Sequence, residues 1–202
     1  MAYSDFTLER VAQSLGVTTT EAALFGSPTS VAVSVWLQEA LGKRTQLASI
    51  SEKSRSEFIV APILFSSRDL SPIPLAIFSG QRLDVDPERG LVGECDFILS
   101  VAPPVLPLRA PIATIVEAKK NDIEAGLGQC VAQMVAADLF NQKAGLPGPI
   151  HGCVTTGEVW QFLRLSGPTA IIDRRKYYLD NVEGILGVIQ AIIALSAPGG
   201  PV

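Results

Sequence analysis

The sequence predicts a mixed α/β fold, on three observations. Ile112, Ile115 and Val116 make residues 112–118 a compact apolar run behind Pro111, as a buried strand requires. Residues 121–141 restore helical periodicity, with Ile123, Leu127, Val131, Met134, Val135 and Leu139 on one broad face. Three further short runs, at 150–155, 159–165 and 170–178, read as strands before a last apolar helix. Neither an internal repeat nor a long linker interrupts the chain, so the expected organisation is one domain over 1–202.

Taken in order, residues 1–48 read as a helical N-terminal extension. Asp5 is placed to cap a helix running to Leu15, with Gly16 in the terminating position. Ser27-Pro28 is a second start signal, and Val31, Val35, Leu37 and Leu41 supply an approximate stripe ending near Gly42. A third helix is expected over 49–66, with Phe58, Ile59 and Ile63 facing inward and Pro62 kinking it. From Pro74 the pattern changes to strands: an apolar run at 75–78, then 91–101 after a turn at 87–90. The prolines at 103, 104 and 107 mark a connecting loop. At the far end, Asp180 with Glu183 three residues on has capping-box spacing, and Val182, Ile185, Leu186, Ile189 and Ile193 form the stripe that follows.

Composition bounds the function. Of the 202 residues, 48% are hydrophobic and 18% charged, which excludes a disordered chain. Sixteen Lys and Arg against twenty Asp and Glu leave a net charge of −4, so no global basic field announces a polyanionic partner. Two bound divalent cations would formally cancel that charge, so it does not exclude a nuclease either. Cys95, Cys130 and Cys153 are scattered without a CxxC pair and suit neither a disulfide framework nor a zinc site. The N-terminus lacks an apolar signal-peptide core, and the apolar stretch 185–195 is too short to span a bilayer. A cytoplasmic protein with no membrane partner is expected.

Three acids lie on ordered elements: Glu57 on the third helix, Asp96 in the strand over 91–101, and Glu117 near the end of the next strand. Alternate strand residues share a face, so Glu117 and Lys119 point one way and Ala118 the other. If the two strands pair, Asp96 approaches Glu117 and the carboxylates can share Mg²⁺ or Mn²⁺, with a backbone carbonyl and waters completing the shell. Such a cation activates water and offsets phosphoryl charge, and an adjacent ammonium assists. Chance alone gives roughly 0.6 acid-x-Lys triplets in a chain of this composition. It is the setting of this one, between an acidic helix, an Asp-bearing strand and an amphipathic helix, that marks it.

That order, helix-Glu57, strand-Asp96, strand-Glu117-Ala118-Lys119 and a helix carrying Gln129 with Gln133 one turn on, resembles the PD-(D/E)XK nuclease superfamily. The resemblance covers 49–165 and implies a restriction-endonuclease-like αβββαβ core with a mixed central sheet, 166–202 adding a strand and a helix. It implies a metal-dependent phosphodiesterase acting on DNA, endo- or exonucleolytic. Asp96, Glu117, Glu57 and the Ala118 carbonyl would hold the metal, Lys119 would be catalytic, and Gln129 would be the polar helix position. Cys95 stands where the family motif carries proline. The low charged fraction and apolar last helix suggest a homo-oligomer, expected as a dimer. They also suit the alternative of a catalytically silent structural or regulatory subunit.

Lesser features take bland readings. His151, the sole histidine, is expected to be structural or exposed. Gly126 and Gly128 lie in a helical pattern, so they mark close helix–sheet packing rather than a phosphate loop. Glu94 is an outer ligand or a solvent-facing charge. Lys43, Arg44, Lys53, Arg55, Lys120 and 174–176 are candidate phosphate contacts.

Overall fold

A computed structural model describes residues 1–26, 29–44 and 51–197. Its centre is a seven-stranded mixed sheet: β1 (Thr18–Ala22), β2 (Ala76–Arg82), β3 (Glu94–Ser100), β4 (Ile112–Ala118), β5 (Ile150–Thr155), β6 (Val159–Ser166) and β7 (Thr169–Tyr178). The spatial order is β1-β7-β6-β5-β4-β3-β2. Two pairs, β4 with β5 and β1 with β7, are parallel, and the others run antiparallel. The α/β class read from the sequence therefore holds.

Every residue of β4 and β5 is buried, which explains their near-continuous apolar runs. Helix α5 (Glu124–Lys143) makes the crossover between them and packs on one face with α1 (Leu8–Leu15). The opposite face is covered by α2 (Val35–Lys43), the helical segment 52–69 and α6 (Val182–Leu195). Two apolar clusters result, one on each side of the sheet. Glycines let α5 lie close: a Cβ at Gly128 would strike the backbone of Phe6 and Thr7, and one at Gly152 would strike Met134 and Cys130. The helix–sheet packing expected of the glycines in α5 holds for Gly126, whose Cβ would strike Val154 of β5, whereas Gly128 packs on residues 6–7 rather than on the sheet.

Several local expectations change. Asp5 sits in a short 3-10 turn, Tyr3–Asp5, and α1 is capped instead by Thr7, whose Oγ1 accepts from Arg10 N at 3.3 Å. Gly16 does end α1, at φ 69°. The N-terminal region is not purely helical, because β1 adds a parallel edge strand to β7. Ser27-Pro28 lies outside the described residues; α2 opens at Val35 behind a Ser34 cap, so Val31 is not in it. Residue 49 is likewise undescribed, and the third helical segment comprises α3 (Glu52–Arg55), a π stretch (Ser56–Val60) and α4 (Ala61–Asp69).

Pro62 acts one turn earlier than a simple kink would. Its ring excludes the Phe58 carbonyl and it has no N–H, so the turn before it widens, with Ala61 N donating to Ser56 O. Ile59 and Ile63 face inward, while Phe58 is 38% exposed, contrary to expectation. The strand expected over 91–101 is shorter, because Gly93 (φ 139°) breaks its start. The last helix opens behind Asn181, whose Oδ1 accepts from Gly184 N at 3.1 Å, and not at Asp180. Among the described residues no helix is long and apolar enough to cross a membrane.

Candidate functional site

Strands β3 and β4 do pair, antiparallel, with Phe97 opposite Val116. One step past that pair Asp96 reaches the end of β4, where its Oδ2 accepts the Ala118 N–H at 2.7 Å. Lys119 extends the line of β4 beside β5, its N–H donating to Thr155 O at 2.7 Å. From there its ammonium donates to Glu117 Oε1 at 2.7 Å and to Gln129 Oε1 at 3.0 Å. Gln133, one turn further along α5, donates to Glu117 Oε2 at 2.9 Å. The structure thus joins Glu117, Lys119, Gln129 and Gln133 in one hydrogen-bonded network, with Asp96 beside it.

Burial sets the electrostatics. Glu117 is pushed up to about 7 by desolvation and by the Asp96 charge, against the pull of Lys119 and Gln133. Asp96 is raised by burial, partly offset by the Ala118 N–H and Lys119, while Glu52 and Glu94 push it further up. Burial alone would lower Lys119, but the Glu117 carboxylate and its hydrogen bond, then Glu52 and Asp96, outweigh that and raise it. The site therefore holds a firmly protonated ammonium beside two carboxylates short of compensating positive charge.

Asp96 opens onto a groove of about 300 Å³ bordered by Glu52, Lys53, Ser56 and Glu57 from the helical segment, Ser79 and Gly80 from β2, Glu94 from β3, and Ala118. Gly80 (φ 63°) leaves room for the Glu94 carboxyl, which a Cβ would meet at 3.3 Å. Glu57 lies on the groove wall, half exposed and 3.8 Å from Lys53. Glu117 and Lys119 do not line the groove; they stand behind its floor, against α5.

Sequence reasoning missed Glu52, which acts on both Asp96 and Lys119. The one available signal was a serine cap at Ser51, which opens a helix on an acid. Arg55, expected as a phosphate contact, also holds the fold. Its guanidinium donates to Lys120 O at 2.6 Å, tying the helix to the turn after β4.

Among the described residues no three His, Cys, Asp or Glu side chains form a ready-made metal cage. Asp96 on the groove and Glu117 behind it are carboxylates of the kind a hard cation takes, but both Glu117 oxygens already accept from Lys119 and Gln133. His151 is buried, tilted 6.3 Å from the Phe25 ring and apart from the groove. Of the expected phosphate contacts, Arg44 lies 3.7 Å from Glu158 and Arg175 donates to Gly26 O, so both hold the fold locally. No protein-family model matches the chain, and no curated protein matches it.

Proposed function

We propose that the chain is a divalent-metal-dependent phosphodiesterase of the PD-(D/E)XK type, acting on DNA. The observation that carries this is the Lys119 ammonium 2.7 Å from a buried Glu117, with Asp96 at the head of an acidic groove. The αβββαβ run from α3 to β5, with β4 and β5 parallel around α5, supports the same reading.

On this reading Asp96, Glu117 and the Ala118 carbonyl would hold Mg²⁺ or Mn²⁺, which would supply an activated water and positive charge against the phosphoryl oxygens. Lys119, kept protonated by Glu117, would supply an ammonium that offsets charge developing on the reacting oxygens. Gln129 fixes the position of that ammonium, and Gln133 fixes the carboxylate. Glu52, closer in electrostatic effect to Asp96 than Glu57 is, takes the role of helical acid.

Incubating the chain with Mn²⁺ or Mg²⁺ and supercoiled, linear or single-stranded DNA tests this. Cleavage by wild type and none by an Asp96→Ala, Lys119→Ala double variant is expected; equal products from both sink the reading. A second reading, a silent nuclease-fold subunit, is favoured by one observation: both Glu117 oxygens already have protein donors. Calorimetry showing no Mn²⁺ uptake would select it.

A further inference from the structure

Gly126 occupies the first turn of α5, where helix propensity alone would favour alanine by about 1 kcal/mol. It is buried, and no positive φ requires glycine there. What a side chain would meet is specific. A Cβ would lie 2.7 Å from Val154 Cγ1, 3.0 Å from Lys119 Cγ and 3.2 Å from Lys119 Cε. Two of the three contacts fall on the stem of one lysine.

The same helix face continues with Gln129 and Gln133, three and seven residues on, which stack in line. Gln129 accepts from the Lys119 ammonium and Gln133 donates to Glu117. Building on the function proposed above, we propose that Gly126 is a positioning residue for Lys119. The missing side chain forms a slot through which the lysine stem runs, so that its ammonium reaches Glu117 and Gln129 together.

An added methyl leaves two responses: the stem moves off its line, or α5 lifts from β5. The first breaks both the 2.7 Å and 3.0 Å ammonium contacts, and the second breaks the 3.0 Å contact to Gln129. Val154 separates this role from packing, because Val154→Ala removes the 2.7 Å obstacle and leaves the lysine stem in place.

The test uses the full chain as Gly126→Ala and as Gly126→Ala/Val154→Ala, with Gly148→Ala, whose Cβ meets open space, as control. Lysine side-chain NMR reads the Nζ protons of Lys119, assigned by their loss in Lys119→Arg. In both Gly126 variants those protons are expected to exchange at least ~10-fold faster. DNA-cleavage kcat is expected to fall ~10-fold with KM within about twofold, the signature of a displaced group. An unchanged Lys119 signal in a folded variant overturns the proposal. Unfolding of both variants overturns it too, since it assigns Gly126 to packing. A wild type that shows the protected ammonium but cleaves no DNA leaves the slot standing and sinks only the nuclease reading.

Discussion

The Lys119 ammonium sits 2.7 Å from Glu117 Oε1, yet Glu117 is pushed up to about 7 rather than down. Burial and the neighbouring Asp96 charge outweigh the ion pair. The sign of the pH effect follows. With the folded value near 7 and the unfolded one near 4.5, the folded chain binds this proton more tightly. The Glu117 contribution is full below pH 4.5 and is lost as pH rises through 7, at about 1.4 kcal/mol per unit or ~3 kcal/mol in all. Glu117→Gln abolishes that loss. In urea titrations from pH 4.5 to 8 the variant is expected to gain on wild type as pH rises; parallel curves would refute this.

His151 works in the opposite direction. Burial first, then the Arg164 charge, lowers it from 6.5 to about 4, so the fold keeps it neutral. Its contribution is present above pH 6.5 and lost as pH falls through 4, again ~3 kcal/mol. Glu117 and His151 therefore offset one another between roughly pH 4.5 and 6.5, and their joint effect in wild type is nearly flat there. His151→Leu is expected to remove the acid-side loss, so that its urea midpoint rises relative to wild type as pH falls. Identical midpoint profiles for His151→Leu and wild type would rule this out.

How much of this was legible follows from what each element depends on. β4 and α5 depend on burial, and burial writes apolar runs and stripes into the sequence. β1 depends on backbone pairing with β7 at an exposed edge, so Thr18, Thr19, Thr20 and Glu21 carry no apolar alternation. Asp96, Glu117 and Lys119 were readable because two-residue strand periodicity fixes their faces. The reach of Glu52 toward Asp96 and Lys119 was not. Glu52 opens the helical segment behind Ser51 and carries no apolar periodicity of its own, and the π stretch Ser56–Val60 shifts the phase of the residues after it from a count at about 3.6 per turn. The roles of Gln133 and Gly126 depend on how closely α5 approaches the sheet, a distance no linear pattern records.

The start of β4 is pinned by one side chain from the end of α5. Asn141 is buried, accepts from Ile112 N at 2.8 Å and donates to Ile112 O at 2.9 Å. Asn141→Ala leaves both backbone groups without partners inside the core, at a cost of about 2–3 kcal/mol. Thermal denaturation is expected to show that loss, while a variant at exposed, solvent-facing Gln142 shows little. A loss under about 0.5 kcal/mol would mean that water replaces the amide.

Glu52 and Glu57 make the sharpest test of the proposed site, because they border one groove and differ in reach. Glu52 acts on Asp96 and Lys119, whereas Glu57 is half exposed and lies beside Lys53. A divalent cation held by Asp96 and Glu117 favours their ionised forms. Mn²⁺ should therefore raise the melting temperature more at pH 8, where Glu117 is ionised, than at pH 6, where it is mostly protonated. Glu52→Gln is expected to weaken Mn²⁺ uptake about tenfold, the scale of losing one supporting carboxylate, and Glu57→Gln less than about twofold. Calorimetric titration at pH 8 distinguishes them. Equal effects would place the helical acid outside the groove's electrostatics, and a larger effect for Glu57 would return that role to the residue the spacing first suggested.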